Sequence, residues 1–72
     1  MSEPFPAELE EKARLFIGSL KASLKVRRYA EAYLNHLVRD EPAPQEFKAG
    51  HGQPSFNYLR MRIQRIVNGE DT

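Results

Sequence analysis

The chain has 72 residues, 40% of them hydrophobic and 29% charged, with 11 Lys and Arg against 10 Asp and Glu. A chain this short buries only about 60% of its unfolded surface, so it has room for one marginally stable domain. It has no cysteine, which excludes disulfides and thiolate metal sites. No apolar run approaches the roughly 20 residues of a membrane-spanning helix, and the chain starts with acidic residues where a signal peptide is basic. We therefore expect a cytoplasmic, single-domain protein without a targeting segment.

The first predicted helix spans residues 7 to 22. Pro6 suits the start of a helix, and the glutamates that follow it favour the positive end of the helix dipole. Apolar residues then recur with a period of about 3.6 residues, which predicts an amphipathic helix with one face in the core. This first stripe consists of Leu9, Ala13, Phe16, Ile17, Leu20 and Leu24.

The apolar stripe changes phase near residue 23, which predicts a second helix over residues 24 to 39. Ser23 is a candidate N-cap for it. The alternative is one long helix that changes the partner it faces partway, but its length would be unusual in a compact domain. The second stripe consists of Val26, Tyr29, Ala30, Tyr33, Leu34, Leu37 and Val38.

A loop is predicted over residues 40 to 54, which contain three prolines and two glycines. Within it, Gln45 to Ala49 could form a short helical turn. The third predicted helix spans residues 55 to 67, with Ser55 as its N-cap and a left-handed stop at Gly69 after it. Its apolar stripe consists of Phe56, Leu59, Ile63, Ile66 and Val67.

These patterns predict an all-α fold, a small single-domain bundle of three main helices around one core. The domain covers residues 1 to 72, with frayed termini. We see no strand-like alternation, internal repeat or low-complexity tract.

No catalytic set is visible in the sequence. His36 and His51 fall on different predicted elements, and neither has a second histidine at ligand spacing. We interpret His36 as a surface residue and His51, between two glycines, as a turn residue. The "GHG" segment lacks the preceding strand and the glycine spacing of a phosphate-binding loop. We therefore expect no enzyme activity, no metal and no cofactor.

The last predicted helix carries the strongest functional signal, because no acidic residue lies between Phe47 and Gly69. Steps of 100° around the helix axis separate its apolar stripe from the remaining side chains. Tyr, Met and Arg are enriched where proteins meet partners, so the non-apolar side is a candidate docking surface. The alternative is that its arginines only solubilise the helix and pair with the acidic start of the chain. The candidate partner-binding residues are Asn57, Tyr58, Arg60, Met61, Arg62, Gln64 and Arg65.

The segment "APQEFKAGHGQPSFNYLRMRIQRI" resembles the helix-turn-helix of DNA-binding regulators over about a third of the chain. It reads as a short helix, a glycine-containing turn and a helix with Arg, Asn and Gln. With Gly52 as the turn residue, Phe47 occupies the family's upstream apolar position. With Gly50 as the turn residue, Phe56 and Leu59 occupy the downstream apolar positions.

The resemblance implies that the last helix enters the major groove, where Arg bonds guanine and Asn or Gln bonds adenine. Its residues nearest the bases would be Asn57, Arg60, Gln64, Met61 and Tyr58. Basic residues around the break between the first two helices would contact phosphates or an acidic surface. These are Lys21, Lys25, Arg27 and Arg28. Such regulators commonly act as dimers, so a homodimer is one form the protein could take.

Two functions follow from these features. The first is a non-enzymatic transcription regulator that binds nucleic acid through the Arg-rich last helix. The second is a protein-binding adaptor or inhibitor that docks on a larger machine, such as RNA polymerase, through the same Arg, Tyr and Met face. The expected partner is thus nucleic acid or a protein with an acidic surface, and no membrane. The sequence favours nucleic acid by a small margin.

Overall fold

The computed structural model describes residues 5 to 70, and that part of the chain contains three α-helices. They are α1 (Ala7–Gly18), α2 (Leu24–Arg39) and α3 (Phe56–Val67). The predicted all-α bundle of three main helices is confirmed. The frayed termini predicted from the sequence concern residues 1 to 4 and 71 to 72, which lie outside the described residues. Within the described part, each helix is too short or too polar to span a bilayer.

The first helix ends four residues earlier than the predicted 7 to 22. Gly18 is a poor helix former, and the Ser19 hydroxyl donates to the Phe16 carbonyl at 3.0 Å, which helps to close the helix end. The chain then turns before α2 begins. Leu24, which the pattern assigns to the first stripe, is instead the first residue of α2 and is 58% exposed.

The two serine caps predicted from the sequence are confirmed. The Ser23 hydroxyl accepts from the Val26 backbone N–H at 3.2 Å, and the Ser55 hydroxyl accepts from the Tyr58 N–H at 3.1 Å. Each cap satisfies one of the amide groups that a helix start leaves without an intrahelical partner. After α3, Gly69 adopts a φ of 75°, a left-handed conformation that costs a glycine little.

The core has two adjoining clusters, and all three helices contribute to it. The larger cluster consists of Ala13, Ile17, Ala30, Tyr33, Leu34, Ile63, Ile66 and Val67. The smaller cluster consists of Val26, Tyr29 and Leu59. Because α3 supplies residues to both clusters, its apolar side holds the bundle together along its whole length.

The start of α1 lies beside the end of α2, since Glu10 contacts Arg39 at 3.1 Å as well as Arg14 at 2.8 Å. The hydrogen bond from Arg14 and the nearby charge of Arg39 hold the pKa of the Glu10 carboxyl below its usual value. At the other end, the Ser23 N–H donates to the Gln53 side chain at 2.9 Å. The end of α1 and the starts of α2 and α3 therefore share one end of the bundle, which we call the N-cap end.

The return segment, residues 41 to 54, leads the chain from the end of α2 back to the N-cap end. It contains no helix, so the short turn considered at Gln45 to Ala49 does not form. Phe47 packs instead on other elements, with its ring centroid 6.4 Å from that of Tyr29 and 5.0 Å from that of Phe56. The helix that should precede the turn in the helix-turn-helix resemblance is therefore absent.

Candidate docking face

The side of α3 opposite the core contains most of the residues predicted to bind a partner. Five of the seven are exposed, and the structure leaves Arg60 and Arg62 half-buried. Tyr58 is 38% exposed and Met61 is 45% exposed, and the two lie next to each other on this side of the helix. The exposed five are Asn57, Tyr58, Met61, Gln64 and Arg65.

Arg60 points toward the groove between α3 and α2 and is already engaged there. Its Nη1 donates to the Tyr29 hydroxyl at 3.2 Å, and its guanidinium forms an ion pair with Glu46 of the return segment. The hydrogen bond with Tyr29 raises the pKa of Arg60 further above its usual value, and the pair with Glu46 adds to this. Arg60 is thus bonded within the bundle, and its contact with a partner stays a prediction. Arg60 fastens the return segment to the bundle.

Arg62 lies on the opposite edge of α3, beside α1. Its guanidinium carbon is 5.0 Å from the ring centroid of Phe16 and 5.8 Å from that of Tyr58. Its Nη1 also donates to the Tyr58 hydroxyl at 3.1 Å. Contacts of a guanidinium with aromatic rings are attractive, so they hold this side chain in a defined position. Arg62 thereby links Tyr58 to the surface of α1.

Gln64 is exposed, but its side chain already makes a hydrogen bond within the bundle. Its Nε2 donates to the hydroxyl of the buried Tyr33 at 2.6 Å. A buried tyrosine hydroxyl needs such a partner, because an unsatisfied one costs about 1 to 3 kcal/mol. Gln64 therefore has a structural task that its place on the helix surface does not reveal.

A single exposed stripe runs along α3, and we call it the outward face. It consists of Tyr58, Met61 and Arg65, with Arg62 along one edge. Spacings of three, four and seven residues place these side chains above one another on one side of the helix. The stripe combines an aromatic ring, a thioether and guanidinium groups, and α3 contains no acidic residue.

The four basic residues predicted to contact phosphates or an acidic surface lie elsewhere, around the start of α2. Lys21, Lys25 and Arg28 are exposed. Arg27 is half-buried, and its Nε is enclosed without a hydrogen-bond partner, so its position suits a contact with an external phosphate less well. The structure thus separates these residues from the outward face.

The two histidines behave differently from each other. His51 is exposed in a turn, as predicted. His36 is half-buried and keeps part of its surface exposed. Its Nδ1 lies 2.7 Å from the Glu41 carbonyl oxygen, and its ring centroid is 5.8 Å from that of Tyr33. The contact with Glu41 joins the last turn of α2 to the start of the return segment.

A metal cage is not found in residues 5 to 70, where no three His, Asp or Glu side chains are grouped suitably to hold an ion. A shallow open depression on α1 is lined by Ala7, Glu10, Glu11 and Arg14. Its one basic residue, Arg14, is paired with Glu10. Comparisons of the chain with protein-family models, with curated proteins and with solved structures each give no match.

Proposed function

We propose that this chain is a non-enzymatic binding protein that docks on a partner protein through the outward face of α3. One observation carries the proposal: Tyr58, Met61 and Arg65 form a continuous exposed stripe on a helix whose other long side chains are engaged within the bundle. Tyr, Met and Arg are the residue types that protein interfaces select, whereas Lys and Glu dominate ordinary solvated surfaces.

The chemistry of the stripe also defines the partner. The two apolar side chains, Tyr58 and Met61, need an apolar surface opposite them, and the guanidinium group of Arg65 needs a carboxylate. A partner with an apolar groove bordered by acidic residues meets both requirements, and like charges would exclude a basic partner.

The position of Arg62 lowers the cost of binding. An arginine loses rotamer freedom when an interface immobilises it, at about 0.5 to 1.5 kcal/mol for a side chain of this kind. Phe16 and Tyr58 already restrict Arg62 in the free protein. Its guanidinium is therefore partly positioned before a partner arrives.

The hypothesis that α3 reads bases in the major groove has weaker support. Arg60 and Gln64, two of the side chains suited to base recognition, are bonded to Tyr29, Glu46 and Tyr33. A groove-reading helix is also usually positioned by a helix just before it, and the return segment has none. Protein docking uses the outward face without disturbing these bonds.

The proposal can be tested with a photo-crosslinking residue, p-benzoylphenylalanine, placed at Met61 in cells that produce the protein. We expect a discrete adduct with one protein, because position 61 lies at the centre of the outward face. A matched probe at Leu15, which is 67% exposed on α1, should not give this adduct. Adding Arg65→Glu to the first probe should remove the adduct, since it reverses a charge within the stripe.

Three results would contradict the proposal: the same adducts from both positions, an adduct at 61 that survives Arg65→Glu, or an adduct destroyed by nuclease and not by protease. The last result would support nucleic-acid binding by α3 instead of protein binding.

A further inference from the structure

Two segments without acidic residues meet at the N-cap end of the bundle. All charged residues between positions 15 and 30 are basic, and the same holds between positions 47 and 69. The folded chain joins the two segments, because the Ser23 N–H bonds Gln53 at 2.9 Å and the ammonium of Lys25 lies 4.7 Å from the ring centroid of Phe47. Lys48, the neighbour of Phe47, is thereby brought toward the basic start of α2.

This meeting creates a surface that we call the cationic end: Lys21, Lys25, Arg28 and Lys48, all exposed. Most of the described acidic residues lie at the opposite end of the bundle, near the start of α1 or just beyond the ends of α2 and α3. These are Glu8, Glu10, Glu11, Asp40, Glu41 and Glu70. The formal net charge of +1 therefore conceals an uneven distribution of charge. The distribution is not a complete separation, because Glu31 lies midway along α2, Glu46 pairs with Arg60, and Arg14 and Arg39 pair with Glu10 at the opposite end.

The helix starts add to the positive field. Both α2 and α3 begin at this end, and neither has an acidic residue in its first turn. A helix start carries about half a positive elementary charge, which an acidic residue in the first turn would otherwise offset. The lysines thus lie in a field of the same sign, which favours an anionic ligand.

We propose that the cationic end binds the phosphate backbone of duplex nucleic acid without reading its sequence. Three of its four charged side chains are lysines, which act as point charges suited to phosphates and are depleted in protein interfaces. Single strands are usually held by stacking on exposed aromatic rings. Here Phe47 and Phe56 are half-buried and packed on one another. This surface is distinct from the outward face, so the inference goes beyond the proposed function.

The test is a titration of a fluorescein-labelled mixed-sequence duplex, followed by anisotropy at about 50 and 200 mM salt. Each neutralised phosphate contributes about 0.9 to the slope of log affinity against log salt. Four contacts therefore predict a loss of affinity on the order of 100-fold between these two salt concentrations. The triple variant Lys21→Gln, Lys25→Gln, Lys48→Gln should retain only a few-fold dependence.

Single variants provide a matched comparison. Lys21→Gln should lower the slope by about 0.9, because it removes one phosphate contact. Lys12→Gln removes an exposed lysine from α1, outside the cationic end, and should leave the slope unchanged. Arg65→Glu lies on the outward face and should leave most of the affinity intact. Far-UV circular dichroism checks that each variant remains helical.

The inference is overturned if the unmodified protein fails to bind duplex at the lower salt, or if Lys12→Gln and Lys21→Gln have equal effects. It is also overturned if a single-stranded oligonucleotide of equal length, or a vesicle rich in phosphatidylserine, binds more tightly than the duplex. Loss of binding in Arg65→Glu, with the triple variant unaffected, would move the nucleic-acid site to α3.

Discussion

Replacing Ile63 with alanine should leave little folded protein. Ile63 is fully buried in the larger cluster, where α3 packs against both other helices. Truncating a buried isoleucine to alanine costs about 2 to 5 kcal/mol, from lost transfer energy and the cavity left behind. A single core in a domain this small rarely supplies more than about 3 to 5 kcal/mol. Urea unfolding followed by far-UV circular dichroism measures the loss.

Met61→Ala is the matched control for this prediction, because it shortens an exposed apolar residue on the same helix. We expect its free energy of unfolding to stay within about 0.5 kcal/mol of the parent protein. Equal unfolding midpoints for Ile63→Ala and Met61→Ala would show that α3 does not pack with Ile63 inward. The bundle described here would then be wrong.

The double variant Tyr58→Ala, Met61→Ala should lose binding to the partner protein while keeping its fold. The few hot-spot residues of an interface, which cluster near its centre, cost about 2 kcal/mol or more when truncated, and this corresponds to about 30-fold in affinity. Removing Tyr58 also removes the ring and hydroxyl that position Arg62. The two effects act on one surface, so the loss from the double variant need not equal the sum of the single losses.

Leu15→Ala tests whether any exposed apolar residue would give the same result. Leu15 is more exposed than Tyr58 or Met61, but it lies on α1. The partner protein identified by crosslinking is purified on its own for isothermal titration calorimetry. Its affinity for Leu15→Ala should equal its affinity for the parent protein. A comparable weakening in Leu15→Ala would mean that the partner does not dock specifically on α3.

The sequence predicted α2 and α3 well because both carry a serine cap followed by an uninterrupted apolar stripe. It misjudged the end of α1, because Leu20 and Leu24 happen to continue the spacing of the first stripe. Hydrogen bonds at Ser19 close the helix before them. The spacing of apolar residues alone does not show where a helix ends. Beyond the end of α1, Leu20 still packs on the core from a turn, whereas Leu24 remains exposed.

The outward face was predictable only in part. Angles around a helix axis place Arg60 outside the apolar stripe, but they ignore the length of its side chain and the presence of other elements. Its partner Tyr29 lies 31 residues away in sequence, and Glu46 lies 14 residues away on a segment without regular structure. For the same reason the sequence does not predict that Lys48 belongs to the cationic end. Its position there depends on the path of the return segment.

We propose that a partner protein docks on the outward face of α3. An NMR titration of the isotopically labelled chain with the unlabelled partner tests it most directly, because each backbone amide reports its own surroundings. We predict that the largest changes fall on α3, at Tyr58, Met61, Arg62 and Arg65, with small changes around Leu15. Changes centred on Lys21, Lys25 and Lys48, with α3 unaffected, would show that the partner does not dock on the outward face.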